Sequence, residues 1–214
     1  MRTENSLKPR IIIYDCDGVL IDAREANEAY YSHILSHFHQ PPLQDQHRRD
    51  IQVLTAAEII PLIFDDKGLI DDALAYERSL DNTDFIPLIR LEPNIEETLT
   101  RLRQKYHTAV ATNRGKSLRP VLAYHGLITM FDLIVSSYDV SQPKPHPECL
   151  KKILRYFRLI PTDAVYVGDN EIDRTLCTQA GMPFIAYKNS SLLADYHIAD
   201  HLELVGLLSN LAEP

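Results

Sequence analysis

The stretch Ile11-Ile12-Ile13-Tyr14-Asp15-Cys16-Asp17-Gly18-Val19 decides how this chain is read. An apolar, β-rich run of four residues forms a strand buried on both faces, the pattern of a parallel sheet. Two carboxylates two residues apart follow it. They can face one pocket only if the backbone leaves the β pleat between them, and Gly18 permits that. Open α/β sheets bind ligands beyond the carboxyl ends of their strands. Two acids at such a place point to a metal, to a nucleophile with an acid/base partner, or to both.

Working outward, the same texture returns after residue 88. Thr108 to Ala111, Phe131 to Val135, Ala164 to Val167 and Pro183 to Tyr187 read as further buried strands. Between them lie the helical patterns Ile95 to Tyr106, Lys116 to His125, Pro147 to Phe157 and Glu171 to Ala180. This alternation predicts an α/β fold with a doubly wound, mostly parallel sheet. Residues 22–88 differ. They hold helical stretches at Ala23 to Phe38, Asp45 to Val53, Ala56 to Phe64 and Ala73 to Leu80, broken at Pro41-Pro42 and Lys67-Gly68, with no convincing strand. The division expected is a catalytic core of residues 1–21 and 89–214 carrying an inserted helical cap, residues 22–88.

Three more polar clusters follow strands as Asp15 and Asp17 do. They are Thr112-Asn113, Lys144 within Pro143-Lys144-Pro145, and Gly168-Asp169-Asn170-Glu171-Ile172-Asp173. Converging strand ends would gather carboxylates, a hydroxyl and a lysine. Carboxylate oxygens suit Mg²⁺, a hard cation, while lysine and hydroxyl suit phosphate. Metal-assisted phosphoryl transfer follows from that chemistry.

These four segments, in this order, resemble the haloacid dehalogenase superfamily, in particular its phosphatases with a helical cap after the first strand. The resemblance covers nearly the whole chain and implies a role for each matching residue. Asp15 would be the nucleophile, forming an aspartyl-phosphate. Asp17 would be the general acid and then base, with its carbonyl on the metal. Thr112 and Asn113 would bind the substrate phosphate, with amides around Asn113 and Arg114 at a helix start. Lys144 would offset charge on Asp15 and the phosphoryl group. Asp169 would bind Mg²⁺, and Asp173 would bind it too or hold Lys144, giving Asp15, Asp17, Asp169 and Asp173 as the metal set. Thr112-Asn113-Arg114 looks most like phosphoglycolate phosphatases, although Gly115 stands where those place proline. The alternatives are a phosphosugar mutase of the β-phosphoglucomutase type, whose serine-rich second motif and cap Ser-Arg signature are missing, and a nucleotidase or pyrophosphatase of the same superfamily. A dehalogenase has no need of Asp17 with Asp169. A non-catalytic scaffold would have lost an acid or the lysine, and none is lost.

Composition narrows the partners. The chain has 214 residues, 45% hydrophobic and 24% charged, with 22 Lys+Arg against 30 Asp+Glu for a net charge of −8. That is the make-up of a packed globular protein, and its acidity disfavours nucleic acid. The start of the chain lacks the apolar stretch of a secretory signal, and no run is long enough to span a bilayer. The expectation is a cytoplasmic monomer or homodimer acting on a small phosphorylated metabolite, with no nucleic-acid or membrane partner. Cys16, Cys149 and Cys177 lack metal spacing, and Cys16 should point into the core. His33 and His37, four apart on a helix, read as surface and interface residues. Asp65-Asp66 and Asp71-Asp72 read as a solvated cap loop. Cap candidates for selectivity are the Thr55 region and Arg48-Arg49, the arginines fitting solvated helix charges equally well.

Overall fold

The computed structural model describes residues 8–212; residues 1–7, on which the expectation about a secretory signal falls, and residues 213–214 lie outside them. The strands, in chain order, are β1 (Ile11–Tyr14), β2 (Ile21–Asp22), β3 (Arg90–Leu91), β4 (His107–Ala111), β5 (Leu133–Val135), β6 (Ala164–Gly168), β7 (Phe184–Tyr187) and β8 (Tyr196–Ile198). The helices are α1 (Arg24–His37), α2 (Asp50–Val53), α3 (Ala56–Ile63), α4 (Ile70–Ser79), α5 (Ile95–Leu102), α6 (Leu118–Tyr124), α7 (Glu148–Phe157), α8 (Glu171–Ala180) and α9 (His201–Ala212).

Six strands form one sheet in the order β5-β4-β1-β6-β7-β8, every neighbouring pair parallel. The register aligns the strand ends. Tyr14 is level with Val110 on one side and Val167 on the other, while Ala111 is level with Val135. The residues just after β1, β4 and β6 therefore emerge at a single edge. The sheet is sealed on both faces. Ile12, Tyr14, Val110 and Val165 pack toward Leu99 and Leu208, whereas Ile11, Ile13, Ala109 and Tyr166 pack toward Ile153 and Leu176. Ile11, Ile12 and Ile13 are all fully buried. Each contributes about 1.5–3 kcal/mol from burial, which is why the central strand carries no polar residue until its end.

The flanking helices follow from spacing. In α5, Ile95, Thr98, Leu99 and Leu102 are buried, the i, i+3, i+4, i+7 stripe of an amphipathic helix. In α8 the first turn is capped by Asn170, whose Oδ1 accepts from the amides of Ile172 and Asp173, and the helix ends at Gly181 in the left-handed region.

Some limits differ from expectation. The helix expected over Ile95 to Tyr106 stops at Leu102, because the chain turns there to let His107 N bond Arg10 O and enter the sheet. The helix expected from Lys116 begins at Leu118. Its Ser117 hydroxyl, which would otherwise cap it, accepts from Arg114 Nη1 at 2.9 Å. Asp71 and Asp72 are not loop residues but open α4, where carboxylates complement the helix dipole. The edge strand β8, the helix α9 and the short antiparallel ladder β2–β3 lie outside the patterns read from the sequence.

That ladder pairs Ile21 with Leu91 and Asp22 with Arg90, and the helical block α1–α4 lies between its strands. The block has its own apolar cluster, built on Tyr31, Ile34, Leu35, Ile59, Ile60 and Phe64. All three cysteines are free and buried, Cys16 at 0% exposure in the sheet's core. His37 stacks on Tyr76 with ring centroids 3.9 Å apart, and His33 Nε2 lies 3.0 Å from the Tyr76 hydroxyl. Among the described residues no helix is long and apolar enough to cross a membrane.

Candidate active site

Asp15 leaves β1 with its amide still bonded to Val167 O at 2.9 Å, so the main chain of the sheet fixes its position. The next four residues turn tightly: the amides of Val19, Leu20 and Ile21 all reach Cys16 O, and Gly18 N reaches Ile21 O. Gly18 sits at φ +77°, and a Cβ there would lie 2.2 Å from Asp169 Oδ2. Glycine is required twice over, by backbone conformation and by the approach of a carboxylate.

Lys144 is the hub. Its Nζ lies 2.8 Å from Asp15 Oδ1 and 2.7 Å from Asp173 Oδ1, and it donates to the Tyr166 hydroxyl at 3.0 Å. Its side chain and those of Asp15 and Asp173 are 3%, 6% and 0% exposed. Asn113 clamps the lysine's backbone, its Oδ1 accepting from Lys144 N at 2.9 Å and its Nδ2 donating to Lys144 O at 3.1 Å. The same amide group reaches Val53 O in the helical block at 3.3 Å. Tyr166 donates to Ala111 O at 2.7 Å, tying the hub to β4.

Asp169 follows β6, its amide donating to Asp173 Oδ2 at 3.2 Å and its carbonyl accepting from Asn189 Nδ2 at 2.9 Å. Asp15, Asp169 and Asp173 each bring a carboxylate oxygen within 4.8 Å of the others. Three hard oxygen donors so close fit a divalent cation such as Mg²⁺. Their proton affinities carry the same mark of crowding. Burial and then the Asp173 charge push Asp169 up to about 7. The same two causes raise Asp15 well above the ordinary carboxylate range, against the pull of Lys144. Burial opposes the Lys144 ammonium, yet Asp15 and Asp173 outweigh it and raise its pKa.

Asp17 points elsewhere. Arg114 grips its carboxylate with a two-pronged fork, Nε to Oδ2 at 2.9 Å and Nη2 to Oδ1 at 2.6 Å, and Nη2 also reaches Asn27 Oδ1 at 3.1 Å. The Asp17 side chain thus stands apart from the three-carboxylate cluster. Thr112 is 3% exposed, and its hydroxyl accepts from Arg114 N at 3.1 Å. No helix begins at Asn113 or Arg114 as expected; α6 starts four residues past Arg114, so the amide of Arg114 serves the Thr112 hydroxyl instead.

Asp15, Asp17, Thr112, Asn113 and Lys144 thus line one cavity, and Asp169 and Asp173 cluster with Asp15, while the Asp17 carboxylate is turned to Arg114. Sequence reasoning missed Tyr166, Asn189 and the grip of Arg114 on Asp17. Tyr166 was hidden inside an apolar strand, its only signal a hydroxyl where aliphatic residues surround it. A cavity of about 380 Å³ opens over Asp15 and is walled by the helical block, Thr55 included. Arg48 is not among its walls; it pairs with Glu28 and Asp45 on the surface.

Comparison with known proteins places the chain among relatives of like sequence and fold. The family model for haloacid dehalogenase-like hydrolases matches residues 12–187. A pyrophosphatase of Bacillus mycoides is 27% identical over 187 residues, covering 84% of each chain. A phosphoglycolate phosphatase of Rhodobacter capsulatus is 28% identical over 189 residues, covering 82% of this chain and 83% of its own. A crystal structure of a haloacid dehalogenase-superfamily hydrolase, subfamily IA, from Geobacter sulfurreducens superposes with a TM-score of 0.83 at 33% identity, covering 94% of this chain and all of the other.

Proposed function

Because the chain belongs to the haloacid dehalogenase-like hydrolase family, we propose that it is a Mg²⁺-dependent phosphatase that cleaves a small phosphate monoester through an aspartyl-phosphate on Asp15. The observation that carries this is the division of labour on one carboxylate. Lys144 Nζ and the Cys16 amide, at 2.8 and 2.7 Å, both fall on Asp15 Oδ1. Oδ2 is left as the attacking oxygen, on a side chain whose orientation is fixed before substrate arrives.

Asp15 Oδ2 attacks phosphorus, and the bond from phosphorus to the leaving oxygen breaks. Asp17 delivers a proton to that oxygen, then takes one from the water that hydrolyses the aspartyl-phosphate, returning Asp15 and releasing phosphate. For this duty one Asp17 oxygen must leave the Arg114 fork. Thr112 donates its hydroxyl proton to a phosphoryl oxygen, and Lys144 offsets the charge that builds there. Mg²⁺ held by Asp15, Asp169, Asp173 and the Asp17 carbonyl would supply positive charge against the phosphoryl oxygens. Residues 22–88 act as the cap, closing over the leaving group and excluding water.

Phosphate release from a broad panel of phosphoesters in the presence of Mg²⁺ tests this reading. The expected result is turnover that Asp15→Asn abolishes; full activity in that variant, or none in the parent with any ester, overturns it. The Bacillus mycoides relative adds pyrophosphate to the panel.

A further inference from the structure

The wall of the cavity opposite Asp15 describes the leaving group. At roughly 30 Å³ per water, its volume of about 380 Å³ holds some twelve waters. A phosphate joined to a two-carbon acid has about nine non-hydrogen atoms, and pyrophosphate about as many, so the cavity also admits a somewhat larger leaving group.

Charge points the same way. Among the described residues the cations lining the cavity are Arg78, Arg114, Lys116 and Lys144. Three are already engaged. Arg114 pairs with Asp17 and keeps one of its oxygens during the reaction, and Lys144 pairs with Asp15 and Asp173. Lys116 donates to the carbonyls at the end of α4, reaching Leu80 O at 2.8 Å and Glu77 O more closely still. Arg78 makes no ion pair among the described residues, and it is exposed to solvent. Facing the same space is a carboxyl that the phosphatase reaction does not use. Glu77 is 6% exposed, and its contacts with the Tyr30 hydroxyl at 2.8 Å and Lys116 Nζ at 3.9 Å both fall on Oε1. Oε2 remains to accept a hydrogen bond. Ile51, Val53, Leu54, Phe85 and Ile89 supply an apolar wall.

We infer that the leaving group is uncharged and carries at least one hydroxyl that donates to Glu77, and that the chain disfavours esters whose leaving group is itself an anion. A carboxylate or second phosphate placed there would meet the Glu77 carboxyl with the buried cations already paired. This rests on the phosphatase reading and deepens it.

The test is kcat/KM of the full chain with Mg²⁺ for hexose phosphates and glycerol phosphate, for 2-phosphoglycolate and pyrophosphate, and for p-nitrophenyl phosphate as a generic ester. The neutral hydroxylated esters should exceed both anionic ones by at least about tenfold. Glu77→Gln, which keeps an acceptor for Tyr30 and removes the charge, should narrow that gap. A preference for 2-phosphoglycolate or pyrophosphate overturns the inference while leaving the phosphatase reading intact, and an unchanged gap in a folded Glu77→Gln overturns the role of Glu77. Where that variant does not fold, the parent's panel decides alone. No release from any ester, p-nitrophenyl phosphate included, overturns the underlying reading.

Discussion

Raising the pH of the metal-free chain from 5 to 8 and then adding Mg²⁺ should move its melting temperature in opposite directions. The perturbation acts on Asp169, whose carboxyl is held at about 7 against an ordinary 3.8 by burial and by Asp173. A carboxyl that keeps its proton longer in the folded state lowers stability as pH rises. The burden is absent below the unfolded value and complete above the folded one. At about 1.4 kcal/mol for each pH unit between them, it reaches about 4 kcal/mol above pH 7, of which about 3 kcal/mol accrues between pH 5 and 8. A cation that binds the ionised carboxylates reverses this. At a concentration one hundred times its Kd at pH 8, Mg²⁺ adds about 2.7 kcal/mol, or roughly 5–11 °C for a chain of this size. At pH 5 a proton must first leave Asp169, which weakens binding about a hundredfold and cuts the gain to a few tenths of a kcal/mol, roughly 1–2 °C. Differential scanning fluorimetry with and without Mg²⁺ at both pH values reads this directly, and Asp169→Asn should weaken both trends, the raised Asp15 carboxyl remaining. Equal Mg²⁺ shifts at pH 5 and 8, or no shift at pH 8, would refute the reasoning.

Three substitutions probe the same geometry. Gly18→Ala places a methyl 2.2 Å from Asp169 Oδ2 at a positive φ; it should cost about 1–2 kcal/mol in backbone strain and raise the Mg²⁺ concentration needed for half-maximal activity at least tenfold. Lys144→Met leaves Asp15 and Asp173 buried without their shared cation, so chemical denaturation should show a loss of about 3–5 kcal/mol, and phosphatase activity should vanish with it. Arg114→Ala frees both Asp17 oxygens and removes the contact with Asn27; urea titration should register about 3 kcal/mol lost, and kcat should fall further than KM rises.

The order of buried strands and the polar residues at their ends were legible because each is a local pattern. Ile11–Tyr14 is apolar on both faces and Asp15 is not, a contrast that needs no partner to be seen. Helix limits were less legible where tertiary contacts compete with spacing. Ser117 could have capped α6, but its hydroxyl serves Arg114. Tyr196–Ile198 alternates in exposure as an edge strand does and is only three residues long, too short for periodicity to show. At the site, the polar clusters after successive strands pointed to one convergence of acids, a hydroxyl and Lys144. They could not foretell that Asp17 would pair with a residue 97 positions away in sequence, nor that Tyr166 would brace Lys144 from within the core. Those contacts belong to the sheet's register, which sequence spacing alone does not set.

The most direct test of Asp15 as nucleophile is an acid quench during turnover of a ³²P-labelled phosphoester with Mg²⁺, followed by peptide mapping of the labelled protein. The account predicts one label, on the peptide that carries Asp15, and none in Asp15→Asn. Steady turnover with no labelled protein, or a label that survives in Asp15→Asn, would contradict it.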